Sequence, residues 1–101
     1  MLKVEDMKTK MDDVKPVFLA DVALLADLQR FPQIAEQLIR MNEVCALYVT
    51  TGTSNLRARI AGHNIPDLHR IVNSKVGSIQ GLNLMCTNLI TEVIKENAVP
   101  K

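Results

Sequence analysis

The sequence is nearly without aromatic residues: it has no tryptophan, one tyrosine (Tyr48) and two phenylalanines (Phe18 and Phe31). Its core must therefore be aliphatic, and the aromatic platforms on which single-stranded nucleic acid or sugar rings stack are excluded. An excess of one charge is also missing. Twelve Lys and Arg against eleven Asp and Glu leave a net charge of +1, with no run of five like charges. No global field draws the chain to DNA, RNA or an anionic membrane. Cysteine is scarce too. Cys45 and Cys86 are the only two, too far apart for a metal or redox motif, and they read as buried small hydrophobes in a reducing compartment. No apolar run approaches the ~18 residues of a membrane span. Residues 1–15 alternate charges without the apolar centre of a signal peptide. The expectation is a soluble, cytoplasmic protein with no membrane partner.

What remains is a globular composition, 48% apolar and 23% charged over 101 residues, the size of one domain with one modest core. Residues 1–15 form a linker or tail, with Val4, Met7, Met11 and Val14 at loosely helical spacing among the charges. The domain is expected over 16–101. Residues 17–25 read as a first strand, apolar on both faces, which a sheet with one wet face would not tolerate. Pro32 suits a first helical turn, and Ile34, Ala35, Leu38, Ile39 and Met41 follow as one apolar stripe of a helix of about ten residues. Strands are expected over 44–50 and 56–61, joined by Thr51-Gly52-Thr53-Ser54-Asn55, residues that favour a hairpin tip. Asn64 can cap a second helix with Pro66 in its first turn, and Leu68, Ile71, Val72, Lys75, Val76 and Ile79 mark its stripe. That helix ends between Gly77 and Gly81, and a long fourth strand runs over 82–93.

The order strand, helix, strand, strand, helix, strand folds, with right-handed crossovers, into an α+β, ferredoxin-like βαββαβ domain. It is an antiparallel four-stranded sheet with both helices on one face. Two helices cover only one side. The other side, apolar in the first strand, meets a copy of itself, which gives a homodimer of facing sheets, a dimeric α/β barrel.

Taken together, these features resemble the C-terminal effector-binding (RAM) domain of the Lrp/AsnC, or feast/famine, transcriptional regulators. The residues carrying the resemblance are Asn42-Glu43-Val44 at the end of the first helix, Thr51-Gly52-Thr53-Ser54-Asn55-Leu56 in the hairpin, Gly81-Leu82, Met85-Cys86-Thr87 and Lys95. The family's hairpin carries an aromatic residue and an Asp where Ser54 and Asn55 stand, and its Thr-x-Thr pair has Met85 in first place. The resemblance implies an amino-acid effector bound where dimers meet, with Thr51, Gly52, Thr53, Ser54, Asn55 and Thr87 as ligand-binding residues. It also implies assembly beyond the dimer into rings of the octamer type. DNA would be reached only through a helix-turn-helix, for which 1–15 is too short, so the chain is either a stand-alone effector domain or a fragment of a longer regulator.

Bottom-up, the tip residues suit a carboxylate or a zwitterion but are also ordinary turn residues. Arg57 and Arg59 share a strand face that reads as solvated or as a dimer rim. Thr87 and Asn88 point to opposite faces. His63 and His69 lack partners at metal spacing, Cys45 and Cys86 lack a neighbouring base, and no Gly-x-Ser-x-Gly, Walker loop or paired-carboxylate arrangement occurs, so no metal, cofactor or catalytic residue is expected. Two other classes stay open. One is a cofactor-independent enzyme of the dimeric barrel type using Asp21 or Tyr48, and the other is a purely structural multimerisation module.

Overall fold

The computed structural model describes residues 17–95; the linker expected over 1–15 lies outside them. Strand β1 (Phe18–Ala26) leads through a single 3₁₀ turn (Leu28–Arg30) into helix α1 (Phe31–Arg40). Strands β2 (Val44–Val49) and β3 (Leu56–Gly62) form the hairpin. Helix α2 (Ile65–Arg70) continues without a break as a π-helical segment (Ile71–Val76), and β4 (Leu82–Ile90) closes the sheet. The strand order is β2-β3-β1-β4, antiparallel throughout, as the ferredoxin-like reading requires.

The core follows from the alternation of β1. Ala20, Val22, Leu24 and Ala26 face the helices and meet Leu56, Ala58 and Ile60 of β3. Ile34 and Leu38 of α1 and Leu68, Ile71, Val72 and Val76 of the second helix close over them. Each fully buried aliphatic side chain here contributes roughly 1.5–3 kcal/mol. On the opposite face Leu19 and Ala61 are buried with Cys45 and Ile90 packed against them, so β1 is apolar on both sides as expected.

Three local expectations change. The buried stripe of α1 is only Ile34 and Leu38, while Ile39 is 66% exposed. An i, i+4 pair suffices because the helix rests on the sheet along a narrow line. Lys75 leaves the second stripe and pairs with Glu43 at 2.5 Å, since the π register turns it outward. Strand β4 stops at Ile90 rather than at residue 93, because Ile90 sits opposite Leu19, where its pairing with β1 ends. A bulge at Met85, between the pairs Ala23↔Cys86 and Leu24↔Leu84, also kinks this edge strand.

The start of α2 is tied down locally. The Asn64 side chain accepts from the Asp67 N–H at 2.7 Å, and the Asp67 carboxylate in turn accepts from the His63 N–H at 3.0 Å and from Arg70 at 2.7 Å. Gly62 lets the helix lie close to β3: a Cβ there would stand 3.0 Å from the backbone of Leu68. Gly62→Ala should therefore destabilise the fold by about 1–3 kcal/mol, and Asn64→Ala by about 1 kcal/mol. Urea midpoints measure both, and a wild-type midpoint for Gly62→Ala would contradict the close approach.

Candidate ligand-binding site

The hairpin tip is pinned to the sheet from within. Thr50 closes the loop twice: its N–H donates to the Asn55 carbonyl at 3.0 Å and its hydroxyl to the Ser54 carbonyl at 3.1 Å. Asn55 then reaches across to β1. Its N–H donates to the Leu24 carbonyl at 3.0 Å, and its side chain both accepts from the Ala26 N–H at 2.8 Å and donates to the Ala26 carbonyl at 2.9 Å. The amide thus acts as one more rung of the β3–β1 ladder. Only Asn among the short polar residues offers a donor and an acceptor in this geometry; an ionised Asp can only accept.

The six residues expected to bind a ligand are sorted by this arrangement. Thr51, Gly52 and Thr53 form an exposed crest, with Gly52 at φ +100°, a conformation other residues rarely adopt. Ser54 is buried, 8% exposed, and the Asn55 side chain is engaged with Ala26. Thr87 is not brought to the crest. It pairs with Val22 in the middle of β4, on the far side of β3 and β1 from β2.

Thr87 instead lines a cleft of about 340 Å³ between β4 and the second helix. Its floor is Ala20, Leu68, Val72 and Leu89, and His69 and Asn73 stand at its rim. Sequence reasoning missed His69 and Asn73 as a pair. Their i, i+4 spacing was visible, but which strand that helix face overhangs was not.

The open sheet face presents Arg57 and Arg59 together, and Asp21 approaches Arg57 at 3.6 Å. This pair is half exposed and contributes little. Tyr48, opposite Arg57, is half exposed. Asp21 and Tyr48 therefore lie on the open sheet face, away from the cleft. Cys86 lies exposed on that same face, opposite Ala23 on an edge strand, and is not the buried hydrophobe expected. Cys45 is partly buried against Leu19 and Ala61.

Two carboxylates depart from ordinary behaviour. Burial pushes the Glu43 pKa up, but the Lys75 ammonium bonded to it, its own backbone N–H and the positive charges of Lys75 and Arg70 outweigh that, so the net direction is down. Asp67 is also lowered, first by the His63 N–H and then by Arg70. Glu43 ties the start of β2 to the π-helical segment and so joins hairpin and helix layer.

A family model for the Lrp/AsnC ligand binding domain matches residues 20–100. The chain belongs to the Lrp/AsnC family. Two uncharacterised HTH-type transcriptional regulators, of Pyrococcus furiosus and Pyrococcus abyssi, are each 26% identical over 77 residues. Those residues are 76% of this chain but 52% and 49% of theirs, so the chain spans about half the length of the curated relatives it matches. Among solved structures the fold is similar to Escherichia coli AsnC (TM-score 0.74, 17% identity, 98% of this chain and 64% of that one). It is also similar to a Neisseria meningitidis transcriptional regulator in complex with L-methionine (TM-score 0.77, 14% identity, 99% and 62%). A Thermus thermophilus protein is matched over 99% of its length and 78% of this chain (TM-score 0.70, 20% identity). Among the described residues of this Lrp/AsnC domain no helix is long and apolar enough to cross a membrane.

Two outcomes follow from the geometry. Asn55→Asp removes the donor to Ala26 and sets a carboxylate against its carbonyl, which should cost about 1–3 kcal/mol, whereas Thr53→Ala on the crest should cost almost nothing; equal urea midpoints for Asn55→Asp and wild type would refute the clamp. Glu43, lowered from its ordinary value of 4.5, contributes stability that is fully present above that pH and lost as pH falls through the lowered value. Glu43→Gln should flatten the fall in stability on that acid side, as read from melting temperatures between neutral pH and pH of about 3.

Proposed function

We propose that this chain is the amino-acid-sensing and self-assembling part of a cytoplasmic Lrp/AsnC transcriptional regulator. What carries the reading is the match of residues 20–100 to the family's ligand binding domain, supported by an exposed crest whose backbone is fixed by the Asn55 clamp. The backbone N–H groups around Gly52 and the hydroxyls of Thr51 and Thr53 suit the carboxylate of an amino acid. No acid stands at the crest among the described residues to meet its ammonium group, so that partner comes from another protomer. Thr87 reaches a crest ligand only in the same way, across an interface.

The open sheet face, apolar at Leu19, Ala23 and Ala61 and polar at Asp21, Arg57 and Asn88, is proposed as the homodimer surface. Its mixture of buried small residues and complementary charges suits a facing copy. Ligand at the crest shifts assembly among dimers only by binding one assembly state more tightly than another. DNA is contacted through a helix-turn-helix outside residues 17–95. That L-methionine is bound by the Neisseria regulator makes aliphatic amino acids the first to try.

Sedimentation velocity of the purified chain across the common amino acids, L-methionine included, tests this. At least one should change the ratio of dimer to larger assemblies, and Thr53→Ala and Gly52→Asp should each weaken that response by about tenfold. An assembly profile unmoved by the whole panel would refute the sensing role.

A further inference from the structure

The cleft between β4 and the second helix has the makings of a separate binding site. At about 340 Å³ it has the volume of a small-ligand pocket, and its floor of Ala20, Leu68, Val72 and Leu89 is wholly aliphatic. Three polar residues share its lining: Thr87 from β4, and His69 and Asn73 one turn apart on the helix. None of the three side chains has a hydrogen-bond partner among the described residues, and each can donate. Among the described residues no Asp, Glu, Lys or Arg lines the cleft.

A second observation points to the same place. The helix leaves α register at Ile71 and runs as a π-helix through Val76, with the Gly77 N–H donating to the Val72 carbonyl at 2.9 Å. Six residues of π-helix are rare, and such widened turns gather at ligand sites. Here the widened turn begins where Val72 and Asn73 line the cleft.

We infer that this cleft binds a small aliphatic carboxylate, its branched hydrocarbon body on the aliphatic floor and its anionic head accepting hydrogen bonds from Thr87, Asn73 and His69. An amino acid fits less well, because nothing acidic among the described residues lines the cleft to pair with its ammonium group. A neutral amide of the same shape satisfies the donors with only one oxygen and without charge. The site is built within one chain and does not rest on the role proposed for the hairpin crest.

The test is an NMR titration of the isotope-labelled full chain with 4-methylpentanoate, set beside 4-methylpentanamide and L-leucine. The carboxylate should produce saturable shifts at His69, Asn73 and Thr87. The amide and leucine should bind about tenfold or more weakly. Thr87→Val, which keeps the shape and removes the hydroxyl, and Asn73→Ala, an exposed change, should each weaken carboxylate binding by about the same factor while leaving the spectrum elsewhere intact. No saturable shift, equal affinity for carboxylate and amide, or shifts confined to Thr51–Thr53 would each overturn the assignment. Since the crest is read by its own resonances, failure of the cleft leaves the crest result standing, and the reverse also holds.

Discussion

Everything in this domain leans on β1. It is hydrogen bonded on both edges, to β3 and β4, and apolar on both faces, with Ala20, Val22 and Leu24 beneath the helices and Leu19 and Ala23 on the open side. Ala20, Ala23 and Ala26 are interspersed along it with Leu19, Val22, Leu24 and Leu25, and the aliphatic core compensates for the missing aromatics by close packing. A strand buried this way in one chain has spent its sequence on two layers. That is why the open sheet face is the surface proposed to meet a second copy.

The hairpin depends on β1 in its turn. A loop of turn residues standing beyond a sheet would ordinarily be mobile, but the Asn55 amide gives it one additional rung, two hydrogen bonds to Ala26. Asn55, where the resemblance implies an Asp, thereby has a structural role. Its side chain is turned onto Ala26 to hold the loop, and the crest keeps backbone donors and the hydroxyls of Thr51 and Thr53. On the role proposed above, affinity for a zwitterion would then be assembled between chains, tying recognition to oligomerisation.

The fold was largely legible because its signals are local. Pro32 and Pro66 in first turns, Asn64 as a cap and the double-sided apolar run of β1 each carry a mechanism that tertiary context reinforces. The two threonines and the glycine of the crest were legible for the same reason. Asn55 was not: its role is set by Ala26, 29 residues away, and nothing in a turn sequence says whether an amide points out or across. The cleft was illegible in kind. It needs the π register from Ile71, which sets the phase of Val72 and Asn73, and the bulge at Met85, which sets the phase of Thr87. Each is a one-residue slip that periodicity cannot anticipate, and together they decide which polar groups meet.

Both candidate sites are thus anchored to the same strand, the crest through Leu24 and Ala26 and the cleft through Ala20 and the Val22 opposite Thr87. That common anchor argues against a signal passing along β1. A strand held by two ladders and packed under the helices is poorly placed to supply a second arrangement, and coupling requires an element with two states. The elements able to supply one are those β1 does not hold on every side: the exposed crest, the rim of the cleft, and the contacts either offers to another protomer. On the role proposed above, ligand occupancy would be communicated outward, through which chains associate, and not inward through a change of the fold.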